Sequence, residues 1–121
     1  MTITAKLNYV KVNHPEIYEE LERELQAGKI DVSLVSRLSE SIEPGYYRPL
    51  YLITSVLLLF SPATIKANSI IAVGVSDLLC EALGVGKSAI SNRLATARHY
   101  YNNVRWFRDN VDRIVKEVRG E

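Results

Sequence analysis

Residues 46–60, YYRPLYLITSVLLLF, decide the fold. After Pro49 the run carries no charge, and only Thr54 and Ser55 interrupt its apolar character. Wound as a helix it is apolar on nearly every side, which marks a helix buried all round. Leu52, Ile53, Val56, Leu57 and Phe60 are therefore expected at the centre of the core. The run falls far short of the roughly 20 residues needed to cross a bilayer. It reads as a core helix, and no membrane partner is expected. The fold class expected is mainly α: a small helical bundle of five or six helices built on this one.

Upstream, residues 2–12, TITAKLNYVKV, alternate, with Ile3, Ala5, Leu7 and Tyr9 on one side and Thr2, Thr4, Lys6 and Asn8 on the other. Such alternation is the signature of a short N-terminal extended strand or arm. No second strand of similar quality follows, so its partner would come from another chain, which predicts a homodimer. Asn13-His14-Pro15-Glu16 then opens a helix with proline in its first turn. Its apolar stripe is Ile17, Tyr18, Leu21 and Leu25, and it stops near Gly28. Asp31 caps the next helix, which turns Val32, Leu34, Val35, Leu38 and Ile42 inward and ends at Pro44-Gly45. These two helices are expected to form an acidic helical hairpin.

Downstream, Ser61-Pro62 breaks the core helix, and residues 62–75 read as a turn of helix and a loop. Ser76 to Leu83 is a short helix, Gly84-Val85-Gly86 a turn, and Lys87 to about Tyr101 a longer helix. After a pause at Asn102-Asn103, the stripe Val104, Phe107, Val111, Ile114, Val115 and Val118 outlines a last amphipathic helix. The chain is expected to be one domain. Residues 1–45 hold the strand and acidic hairpin; residues 46–121 hold the core helix, the helix-turn-helix argued below, and the C-terminal helix.

Composition narrows the function classes. With 121 residues, 47% hydrophobic and 24% charged, the chain can bury a real core. A single cysteine, Cys80, excludes an internal disulfide framework and a multi-cysteine zinc site, and fits a reducing, cytoplasmic setting. The N-terminus lacks the basic start and apolar core of a signal peptide. His14 and His99 are the only histidines and have no cysteine or acid cluster at ligand spacing, so neither a metal nor a cofactor is expected. No nucleophile, base and orienting group can be assembled, so the chain reads as a non-enzyme. Seven tyrosines, paired at Tyr46-Tyr47 and Tyr100-Tyr101 with Trp106 near by, suit packing between the last two helices.

The net charge of +1 is unevenly spread. Residues 1–43 carry five Lys/Arg against eight acids, a net −3, and residues 44–121 carry ten against six, a net +4. Between Glu81 and Asp109 there is no acid, while Lys87, Arg93, Arg98, Arg105 and Arg108 are basic. A phosphate backbone selects such a stretch.

Within it lies LGVGKSAISNRL, residues 83–94. Its Gly-Lys-Ser suggests a P-loop, but that loop needs a glycine five residues before Gly86, and Glu81 stands there. The preceding residues also read as a helix where the P-loop demands a strand. Read as a helix-turn-helix, residues 76–98 are consistent throughout. Leu79 and Leu83 face the second helix, Cys80 is the small residue at the crossing, and Gly84 makes the turn at positive φ. Val85 tucks beneath the turn, and Ile90 and Leu94 hold the second helix inward. Its outward face then shows Lys87, Ser88, Ser91, Asn92 and Ala95, the small and hydrogen-bonding composition of a face that enters a major groove.

The segment resembles the helix-turn-helix of bacterial sigma-factor region four and of LuxR-type regulators, with ISNRLATAR, residues 90–98, as the most similar part. The resemblance covers about 23 of 121 residues. It implies that Lys87, Ser88, Ser91 and Asn92 face bases and that Arg93 and Arg98 lean on phosphates. It departs from the pattern at Cys80, where alanine is usual, and in the acidic helices that precede it. A small DNA-binding protein, a transcriptional regulator bound to double-stranded DNA through residues 87–101, is the function expected. The alternative is a protein-interaction or oligomerisation module whose hairpin only looks similar.

Overall fold

The computed structural model describes residues 2–120, and its regular structure is helical throughout. Eight helices follow in order: α1 Ile3–Asn13, α2 Pro15–Leu25, α3 Val32–Ser41, α4 Arg48–Phe60, α5 Pro62–Lys66, α6 Val75–Leu83, α7 Lys87–Asn103 and α8 Arg105–Arg119.

α4 is the axis of the molecule. Pro49 sits in its first turn, where a missing N–H costs nothing. Every residue from Leu52 to Phe60 is buried, and Leu52, Ile53, Val56 and Leu57 are wholly inaccessible. α6, α7, α8 and α3 pack around it. α8 supplies Phe107, Val111, Ile114, Val115 and Val118, the stripe expected of it. α3 adds Val35 and Leu38, and Ile42 follows at its C-cap. Tyr46, Tyr47, Tyr51 and Tyr100 cluster where α7 meets α8 and the start of α4. Tyr51 stacks on Phe107 at 4.8 Å, and Tyr47 meets Tyr100 and Trp106 edge-on at 5.7 and 5.2 Å. Tyr101 donates to Asp112 Oδ1 at 2.8 Å. Burial first, and that carboxylate second, push its phenol upward, so it remains a protonated donor.

The N-terminal third departs from expectation. Residues 3–13 form a helix, not an extended arm, and Thr2 caps it by accepting from the Ala5 N–H at 3.1 Å. The alternation is real but ambiguous. At 100° per residue Ile3, Leu7 and Val10 share one face, while Ala5, Tyr9 and Val12 share the opposite one. With no neighbouring strand, only a helix satisfies this segment's N–H and C=O groups from within. The pairing of helices differs too. α2 packs on α1 and docks on α5, whereas α3 packs on α4 and α8. The hairpin is thus α1–α2, and α3 belongs to the body. The connection between them passes so close to the end of α4 that a Cβ on Gly28 would collide with the Leu59 carbonyl.

Residues 62–75 are a turn of helix and a loop, held by a relay of hydroxyls. The Ala72 N–H donates to Ser61 Oγ at 2.9 Å, and Thr64 Oγ1 donates to the Ile70 carbonyl at 3.1 Å. The Ser61–Thr64 bond of 2.7 Å must then run from serine to threonine, since the threonine proton is already committed.

Candidate nucleic-acid interface

The sequence places a helix end, a turn and a helix start within residues 75–90, and each has a local cause. Gly74, at φ 85, and Asp77 in the first turn begin α6. Val75 and Leu79 are buried, and Leu78, Cys80 and Leu83 are partly buried against the core. Gly84 adopts φ 66 and ψ 35 and ends the helix, its N–H donating to the Cys80 carbonyl. The Val85 N–H reaches the same carbonyl at 3.1 Å, which completes a left-handed helix stop. A Cβ on Gly84 would meet open space, so the backbone angle alone requires glycine there. Gly86 is extended and leads into α7.

α7 is held by Ile90, Ala97 and Tyr101, spaced seven and four residues apart on one face, with Leu94 partly buried beside them. The opposite face carries Ser88, Ser91, Asn92, Ala95 and His99, all exposed. At a rise of about 1.5 Å per residue this polar stripe runs for roughly 16 Å, enough to follow a major groove about 12 Å wide. Lys87 is exposed at its N-terminal edge and pairs with Asp77 at 3.2 Å. Both partners are well solvated, so the pair is worth about 0–1 kcal/mol and is easily exchanged. Arg93 is half-buried and has no hydrogen-bond or ion-pair partner among the described residues.

Arg98 is placed otherwise than expected. Its Nε donates to the Thr64 carbonyl at 2.7 Å and its Nη2 to the Ser69 carbonyl at 3.0 Å. Asn102, one turn later, donates to the Ile65 carbonyl at 3.1 Å. The reason is angular: both residues lie on the flank of α7 that faces α5. Together they satisfy carbonyls of α5 and of the loop that follows it. Arg98 therefore positions residues 64–69 through Nε and Nη2, which commits that edge of the guanidinium to the protein's own backbone.

At its C-terminal end the basic run is partly matched, with Arg105 lying 3.9 Å from the Asp109 carboxylate one turn on. His14 joins α1 to α2, and His99 lies near Asn103 Nδ2 at 3.5 Å on the exposed face of α7. No group of three or more His, Cys, Asp or Glu converges among the described residues, and no helix there is long and apolar enough to cross a membrane.

Sequence reasoning found the turn and the outward face but missed the Arg98–Asn102 clamp, whose partners lie 29 to 37 residues away and have no local signal. No family model, curated protein or solved structure matches the chain.

Proposed function

We propose that the chain is a small non-enzymatic protein that binds duplex DNA through α7 and serves transcription regulation. The observation that carries this reading is the division of α7. Ile90 is wholly buried, while Lys87, Ser88, Ser91 and Asn92 stand exposed to solvent. Had those four been covered by neighbouring helices, no groove could receive them.

The roles follow from reach and chemistry. Ser91 and Asn92 are short, so they touch base edges only when α7 lies deep in the groove, and Asn92 has the amide to bond adenine twice. Arg93 and Lys87 supply phosphate contacts, with Lys87 trading Asp77 for a phosphate oxygen. Arg98 contributes indirectly, by fixing residues 64–69 against the flank of α7.

Gel shifts on duplex DNA across a salt series test the reading. Binding should weaken steeply with salt, and Lys87→Ala or Arg93→Ala should each reduce the slope by about one counterion unit. Ser91→Ala and Asn92→Ala should leave the slope alone and alter sequence preference, by about 1–3 kcal/mol wherever a well-made hydrogen bond to a base edge is removed. Absence of any salt-sensitive shift at low ionic strength would defeat the proposal.

A further inference from the structure

The α1–α2 hairpin consists of two short helices without a core. Each has 11 residues, and none of those residues is buried. Helices this short are marginal in water unless an apolar face is packed away. α1 rests on α2 and makes no comparable contact with the body among the described residues. α2 reaches the body at α5, where Glu24 pairs with Lys66 at 2.6 Å.

α1 also has one apolar stripe too many. Leu7, on the stripe turned to α2, shares a groove of about 490 Å³ with Tyr18, Leu21 and Leu25. Ile3 and Leu7 of that stripe still stand 78% and 45% exposed, and the opposite stripe leaves Tyr9 61% and Val12 77% exposed. One neighbouring helix cannot cover opposite faces, so the hairpin needs a second surface.

The charges identify that surface. α1 carries Lys6 and Lys11 and no acid, whereas α2 carries five glutamates and one arginine. We propose that a second copy of this chain covers the hairpin about a two-fold axis. The basic α1 of each copy lies against the acidic α2 of the other, forming a four-helix bundle. The outer stripe of α1 then meets Ile17 and Leu21 of the partner, which remain 45% and 37% exposed in the single chain. A hairpin whose two halves are complementary in charge satisfies itself twice in a symmetric pair, and a foreign partner would need to mimic both halves. The strand pairing that alternation suggested is replaced by helix pairing at the same segment.

The proposal is independent of how α7 is used, and its test contains no DNA. Sedimentation equilibrium of the full chain should give twice the 13.7 kDa chain mass in the micromolar range. The double variant Tyr9→Asp/Val12→Asp should be monomeric, with circular dichroism showing the body still helical, because neither side chain reaches the core. Lys6→Glu and the pair Glu16→Lys/Glu20→Lys should each raise the dissociation constant several-fold, and mixing the two proteins should restore tight dimers. A wild-type chain that stays monomeric overturns the proposal, as does a dimer indifferent to the Tyr9 and Val12 changes. Charge variants that pair as well alone as together overturn the α1-to-α2 arrangement.

Discussion

α4 and α1 are both rich in apolar residues, yet one buries nine consecutive residues and the other buries none. The difference lies in neighbours more than in hydrophobicity. α4 has α3, α6, α7 and α8 around it, so each of its faces meets a stripe contributed by another part of the chain. α1 displays apolar residues on opposite faces and, among the described residues, packs closely on α2 alone. Apolar content fixes how much surface a helix must hide, and topology decides whether the chain can hide it alone.

The largest expected effect separates these two helices directly. Leu57→Ala removes a wholly buried side chain from the axis of the molecule and should cost about 2–5 kcal/mol in urea unfolding. Val12→Ala, measured at concentrations too low for self-association, should stay within about 0.5 kcal/mol of wild type. Equal losses would mean that α1 belongs to the core and would dissolve the contrast.

A smaller effect divides two arginines five residues apart on α7. Arg98 donates to two carbonyls of residues 64–69, and charged donors of this kind contribute roughly 1.5–3 kcal/mol. Because the site is only partly buried, Arg98→Ala should fall at the low end of that range, with faster amide exchange across residues 64–72. Arg93→Ala should leave stability within about 0.5 kcal/mol and lower affinity for duplex DNA. If Arg98→Ala instead left both stability and exchange unchanged, the clamp would be dispensable and a phosphate role for Arg98 would reopen.

These contrasts also mark what was legible before the structure. α4 and α8 could be read because long, strongly patterned segments admit only one period. The turn at Gly84 could be read because its left-handed backbone demands glycine, and the outward face of α7 followed from the burial of Ile90. Residues 2–12 could not be resolved, since over so short a span alternation and a two-striped helix place the same residues in the same order. The regrouping of α2 with α1, and of α3 with the body, depends on packing that spacing does not encode. Arg98 looked like any exposed arginine in a basic stretch, because its acceptors are backbone carbonyls brought up by a distant loop.

The smallest effect concerns the joint between the two regions, and it is expected to depend on pH. Glu24 is held below the usual carboxylate range chiefly by its hydrogen bond to Lys66, with the charge of that lysine adding to it. A carboxyl lowered on folding contributes stability that is fully present above its unfolded value and is lost as pH falls through its folded one. Fixing α2 to α5 should therefore weaken below about pH 4.5, the ordinary value for this carboxyl, while remaining constant near neutrality. Both partners are substantially exposed, so the whole effect should lie within about 0–1 kcal/mol and shrink in salt. Urea unfolding of wild type and Glu24→Gln across this range measures it. The two proteins should differ by a few tenths of a kcal/mol to about 1 kcal/mol at neutral pH and converge in acid. A difference that persists in acid would show that the carboxylate charge is not what holds the hairpin, and that the joint rests on the apolar contact between α2 and α5.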